Sequence, residues 1–180
     1  RRRTLVVALC AALALVLASA AFCGAKRPVA PADLWKMKRV GSLALSPDGK
    51  RAAVVVTEYD AAKNEGQGDI WVVRTDGSGA SRFTTGATTE SSPVWSPCGE
   101  RLAFVAKREG DDHPQVYIMP VDGGEAVRVT EMPLGASNLK WAAHKVFFVS
   151  EVLPGYEGKL DSMKAETAAK KVQQLLALRE

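Results

Sequence analysis

The sequence carries DIWVVRTDG at residues 69–77, and the same pattern returns as QVYIMPVDG at residues 115–123. The step from Trp71 to Tyr117 is 46 residues, and the flanking residues keep that step. Each copy carries a short apolar run, rich in β-branched and aromatic residues, and then ends in Asp-Gly, as expected for a β-strand that leads into a turn. The chain therefore contains an internal repeat built from short strands.

A second repeated unit precedes each copy, SPDGKRAA at residues 46–53 and SPCGERLA at residues 96–103. Proline presets φ in such a turn, and glycine accepts a positive φ, so each unit predicts a turn followed by a strand. Repeats of about 40 to 50 residues with this content are typical of β-propeller blades. We predict an all-β fold, an incomplete β-propeller of about two and a half four-stranded blades. Because blades bury their faces against neighbours, we expect the chain to be part of a larger protein.

The repeat predicts where each segment of the chain begins and ends. The run Ala52 to Val56 is apolar at every position, which predicts an inner strand covered on both faces. The polar segments 58–68 and 107–114 are expected to be surface loops. The predicted organisation is a signal peptide at 1–20, a linker and short helix at 26–39, blade 1 at 40–86, blade 2 at 87–135, a partial blade 3 at 136–157 and a helical insertion or cap at 158–180.

The N-terminus has the three parts of a secretory signal peptide. Three arginines open the chain, residues 5–17 are almost entirely apolar, and small residues follow at 18–20. We predict a signal helix cleaved after Ala20, with Ala25 as second choice. A lipoprotein with modified Cys23 is an alternative that bulky Phe22 disfavours. The expected location is secreted or periplasmic, with no stable membrane span after signal removal.

Charge and cysteine content exclude several classes of protein. The formal net charge is +4, and removal of the three N-terminal arginines leaves +1. Basic residues are scattered among acidic ones, so a nucleic-acid partner is not expected. Of the three cysteines, Cys98 stands alone in a turn, so no disulfide framework is expected.

Several segments resemble the start of a secreted prolyl oligopeptidase-family serine peptidase, of the acylaminoacyl-peptidase or dipeptidyl-aminopeptidase type. The resemblance covers roughly residues 31–160, and the short helix leading directly into the first blade favours these peptidases over other propellers. It rests on DLWKMKRVG at 33–41 leading into SPDG at 46–49, on WSP at 95–97 followed by LAFV at 102–105, and on DGGEA at 122–126 continuing to Thr130.

This resemblance implies a parent enzyme that hydrolyses peptides through an acyl-enzyme, with the propeller restricting access to an α/β-hydrolase domain. No G-x-S-x-G nucleophile elbow occurs in the sequence, so we assign no catalytic residue and expect the chain alone to be inactive. No cofactor-binding or metal-binding residue is assigned either. The alternative is a TolB-like envelope propeller that acts as a protein-interaction scaffold, and a third reading is a truncated product without activity.

A few side chains invite a chemical role, and for each a structural role is the preferred prediction. Asp111, Asp112 and His113 lie in a polar loop, and His144 lies in a degraded turn. Aromatic residues at blade spacing favour core packing over a ligand platform. Acidic loop residues could hold the amino group of a peptide, but nothing selects one among Glu58, Glu65 and Glu109.

Overall fold

The computed structural model describes residues 27–164, in which a short helix precedes ten strands and residues 160–164 are again helical. Of the described residues, 27–34 belong to a unit of their own, in which the Arg27 guanidinium pairs with Asp33 at 2.5 Å. In chain order the elements are α1 (Pro31–Lys36), β1 (Arg39–Leu45), β2 (Arg51–Asp60), β3 (Glu65–Arg74), β4 (Ala80–Arg82), β5 (Glu90–Trp95), β6 (Arg101–Ala106), β7 (Gln115–Pro120), β8 (Val127–Arg128), β9 (Ser137–Ala142) and β10 (Lys145–Val149).

The strands form three antiparallel sheets with the order of propeller blades. β1 to β4 make one four-stranded sheet in sequence order, β5 to β8 make a second, and β9 and β10 pair as a third. Trp71 lies opposite Arg82, and Tyr117 lies opposite Arg128 at the equivalent register. The predicted partial β-propeller and its 46-residue repeat are confirmed.

The Ser-Pro turns form as the repeat predicts. The Gly49 amide donates to the Ser46 carbonyl at 2.9 Å with φ at +68°, and the Ser46 hydroxyl accepts the Arg51 amide at 2.9 Å. In blade 2 the turn persists, although Cys98 replaces the aspartate whose carboxylate accepts the Lys50 amide at 3.1 Å. The Cys98 thiol cannot replace that carboxylate and instead lies 3.3 Å from the Ser96 hydroxyl.

Two hydrophobic clusters hold the blades together. Between blades 1 and 2, Ile70 packs with Phe104 and Trp95, and the Trp95 indole donates to the Ala44 carbonyl at 2.9 Å. Between blades 2 and 3, Val116 and Leu139 belong to a second cluster. β6 is buried on both faces from Leu102 to Ala106, as expected for an inner strand. Each fully buried large side chain contributes about 1.5–3 kcal/mol.

The structure corrects one loop. The segment 58–68, predicted as a surface loop, is a hairpin in which β2 and β3 stay paired up to Asp60 and Glu65. Asn64 takes a φ of 53° in the turn, which asparagine tolerates better than most residues. The segment was predicted as a loop because its residues are polar. A solvent-exposed hairpin is held by backbone hydrogen bonds and needs no alternating apolar residues. The counterpart at 107–114 is irregular, as predicted.

The helices predicted near the two ends of the chain lie only partly within the described residues. The short helix ends at Lys36, three residues before its predicted end, because β1 already begins at Arg39. Residues 160–164 are helical, and the rest of the predicted C-terminal helix lies outside the described residues, as does the signal peptide. Within residues 27–164, no helix has the length and apolar content required to cross a bilayer.

Candidate functional site

One end of the first two blades brings three connecting segments together, and we name it the loop face. It comprises the β2–β3 hairpin, the β4–β5 connection at residues 83–89 and the β6–β7 loop at residues 107–114. One cleft lies between the hairpin and the connection, and a second lies between the connection and Lys107 to Glu109. The loop face therefore carries two open clefts within the described part of the chain.

The first cleft is acidic and has an aromatic wall. Glu58, Asp60 and Glu65 line it together with Tyr59. Lys38 bonds Glu58 at 2.6 Å and lowers the pKa of that carboxyl. The Tyr59 and Trp35 rings pack edge to face, with their centroids 6.1 Å apart. Carboxylates beside an aromatic ring suit a cationic group such as an amine.

Behind the second cleft lies a group of polar and charged side chains, of which the two acids are buried and the two guanidinium groups reach solvent. We name it the polar cluster: Asp69, Arg82, Thr84, Glu90 and Arg108. The Glu90 side chain is 0% exposed, and its carboxylate accepts the Thr84 hydroxyl at 3.0 Å. Burial raises the pKa of Glu90, although the Thr84 hydrogen bond opposes the rise. The cluster joins blade 1 to the first strand of blade 2.

Two guanidinium groups balance the carboxylates of the polar cluster. Arg82 pairs with Asp69 at 2.7 Å within blade 1. Arg108 lies 3.8 Å from Glu90, and its guanidinium also covers the Tyr117 ring at 4.8 Å. Because Arg108 also lines the second cleft, its side chain connects the buried charges to the surface.

The β6–β7 loop is fixed to its blade by Asp111. Its carboxylate accepts the Tyr117 hydroxyl at 2.5 Å, the Arg108 amide at 3.0 Å and an Arg128 nitrogen at 2.9 Å. Burial opposes the charged form, but these hydrogen bonds outweigh it and lower the pKa of Asp111. Burial and the Asp111 carboxylate together raise the pKa of Tyr117 to about 12.

The residues singled out in the sequence occupy separate places. Asp111 is engaged structurally, His113 is half-buried, and His144 is exposed in the β9–β10 turn. No group of three histidine, cysteine or acidic side chains suited to a metal occurs among the described residues.

The acidic candidates divide between the two clefts. Glu58 and Glu65 line the first cleft, and Glu109 lines the second. The sequence analysis missed Glu90 and Asp69, although one signal was visible. Asp69 and Gln115 occupy the same position of the repeat, so a charged side chain in blade 1 is replaced by a neutral one in blade 2.

Comparison with known proteins shows which family shares this architecture. A family model described as the TolB beta propeller domain matches residues 35–175. The uncharacterized peptidase YuxL of Bacillus subtilis is 36% identical over 117 residues, which are 65% of this chain and 18% of that protein. Dipeptidyl-peptidase 5 of Porphyromonas endodontalis is 35% identical over 105 residues, 58% of this chain and 15% of that protein. The chain thus spans less than a fifth of these curated relatives.

Among solved structures, a putative TolB from Agrobacterium tumefaciens matches with a TM-score of 0.52 and 26% identity, covering 64% of this chain and 39% of that one. The relatives named as peptidases are consistent with the resemblance to the propeller part of a prolyl oligopeptidase-family enzyme. The blade order, the repeated turns and a family match over residues 35–175 lead to one conclusion: the chain belongs to the TolB β-propeller domain family.

Proposed function

We propose that this chain is the N-terminal propeller part of a secreted serine peptidase that hydrolyses peptides. The observation that carries the proposal is the 36% identity over 117 residues to a protein named as a peptidase. In this proposal the reaction takes place on an α/β-hydrolase domain outside residues 1–180, and the propeller restricts access to it. The substrates are peptides of the acylaminoacyl- or dipeptidyl-peptidase kind.

The loop face supports a role in selecting peptides. Its first cleft presents Glu58, Asp60 and Glu65, and carboxylates of this kind attract the amino end of a peptide. Its second cleft presents Lys107 and Arg108, which attract carbonyl or carboxylate oxygens. Lys63 also lines the first cleft and Glu109 the second, so the first is net acidic and the second net basic. This difference suits a short zwitterionic chain better than a folded protein.

A fluorophosphonate probe tests the peptidase assignment, because it labels an activated serine. We expect labelling of the full-length protein and none of the 180-residue chain. We also expect the full-length protein to cleave short peptides and to leave folded proteins intact. Labelling of the 180-residue chain, or none of the full-length protein, would contradict the assignment.

The second candidate is a TolB-like scaffold that binds proteins of the cell envelope. The 26% identity to a putative TolB and the description of the family model favour it. A full-length protein that ignores the probe but retains envelope proteins in a pull-down supports this alternative. Export is common to both candidates, and N-terminal sequencing of the mature protein tests it, with a start at residue 21 expected.

A further inference from the structure

The polar cluster at the junction of blades 1 and 2 is incomplete in its hydrogen bonding. Among the described residues, three buried side-chain atoms have no hydrogen-bond partner: Asp69 Oδ1, Glu90 Oε1 and Arg108 Nε. All three belong to this cluster. An unsatisfied buried polar atom costs about 1–3 kcal/mol, so three in one place indicate a shared partner.

The equivalent position in blade 2 shows what a closed arrangement looks like. Gln115 stands there in place of Asp69, and Thr130 in place of Thr84. The Gln115 carbonyl accepts the Thr130 hydroxyl at 2.9 Å and the Met132 amide at 2.9 Å, and its amide donates to the Met132 carbonyl at 2.8 Å. Protein atoms alone complete this site. Blade 1 lacks the amide side chain and has two carboxylates instead.

Glu90 and Arg108 do not bond each other directly. The distance from Glu90 Oε1 to Arg108 Nη2 is 3.8 Å, too long for a hydrogen bond, so both groups can accept a bridging partner. Gly86 borders the same oxygen, since a Cβ there would lie 2.7 Å from Glu90 Oε1. Asp69 lies beside Glu90, because the amides on either side of it bond the neighbours of Glu90. The Gly68 amide donates to the Thr89 hydroxyl at 3.3 Å, and the Ile70 amide donates at 2.9 Å to the Thr84 hydroxyl that bonds Glu90.

The free atoms define the chemistry of the missing partner. Two acceptors and one donor require a molecule that donates two hydrogen bonds and accepts one. Two carboxylates face two guanidinium groups, so a neutral molecule preserves the charge balance whereas an ion does not. A water with three polar partners meets both conditions.

We propose that the polar cluster holds one buried water molecule, bonded to Asp69 Oδ1, Glu90 Oε1 and Arg108 Nε, that ties blade 1 to blade 2. The water links Asp69 of β3 to Arg108 in the β6–β7 loop, while Glu90 already bonds Thr84. It therefore joins two segments of blades 1 and 2 beside the loop face, independently of which function the protein has.

A crystal structure of the full-length protein at about 1.5 Å resolution tests the proposal. We expect one density peak about 2.7–3.2 Å from each of the three atoms. The Gln115 carbonyl in blade 2 serves as the internal control and should have no water bonded to it. An empty cluster whose three atoms pair directly with each other would overturn the proposal. So would an anomalous peak at this position after a thallium(I) soak, because it would identify a cation site.

Two variants extend the test. Glu90→Gln keeps the shape and one acceptor, so the peak should remain. Glu90→Leu removes the acceptor and the Thr84 bond, so the peak should disappear. A peak lost in Glu90→Gln, or unchanged in Glu90→Leu, contradicts the assignment. If Glu90→Leu does not fold, the wild-type and Glu90→Gln structures decide.

Discussion

At the scale of single residues, Glu90 combines complete burial with a raised pKa, which links its protonation to stability. An acid whose folded pKa is raised contributes stability below its unfolded pKa of about 4.3 and loses it as the pH rises through the folded pKa. Glu90→Gln has no such titration. We expect the melting temperature of the variant to rise relative to that of the wild type from about pH 4.3 upward, measured by calorimetry at several pH values. A constant difference between the two proteins would contradict the burial argument.

Asp111 gives the opposite pH dependence, because its pKa is lowered. The contribution of Asp111 to the stability of the folded state is present above its unfolded pKa and is lost as the pH falls through its folded pKa. Asp111→Asn leaves Tyr117 and Arg128 without their charged acceptor, so we expect a loss of about 1.5–3 kcal/mol near neutral pH. Urea unfolding measures this loss, with exposed Asp122→Asn as the matched control. Equal effects of the two substitutions would exclude a structural role for Asp111.

Residues also show where sequence reasoning succeeds. The Ser46 and Ser96 turns were predictable because proline and glycine determine turn geometry locally. Glu90 was not, since its partners Thr84 and Arg108 come from two different blades. A contact of this kind depends on how the sheets stack, which no local pattern encodes.

At the scale of elements, the β2–β3 hairpin forms the wall of the acidic cleft. Gly66 lies against Tyr59, and a Cβ at Gly66 would come within 2.8 Å of that ring. We expect Gly66→Val to displace Tyr59 from Trp35 and to increase tryptic cleavage at Lys63 several-fold, measured by limited proteolysis and mass spectrometry. Gly79→Ala is the control, because nothing lies within 4 Å of its added Cβ. Unchanged cleavage in Gly66→Val would show that the hairpin does not depend on this packing.

The elements themselves were largely predictable. The repeat predicted four-stranded blades, as β1 to β4 and β5 to β8 form them, and the apolar run from Ala52 to Val56 lies in the inner strand β2. The ends were less accurate: β2 and β3 extend through polar residues up to Asp60 and Glu65, where backbone pairing and not apolar burial holds the strands.

At the scale of the whole molecule, the two outermost described blades present apolar faces. Val40, Leu43 and Leu45 of β1 are 72%, 63% and 57% exposed, and Phe147 of β10 is 56% exposed. In blade 2, which has a neighbour on both sides, Pro93 and Trp95 are buried at the β5 positions that correspond to Leu43 and Leu45. Exposed apolar strands are an aggregation hazard that proteins cover. We therefore expect sister blades to pack on both faces in the full-length protein.

Hydroxyl-radical footprinting of the full-length protein tests this central claim most directly. The account predicts that Leu43, Leu45 and Phe147 are oxidised as slowly as the core residues Leu102 and Phe104, because further blades cover them. Oxidation at the fast rate of exposed side chains would show that these faces remain open, and it would contradict a propeller completed by additional blades.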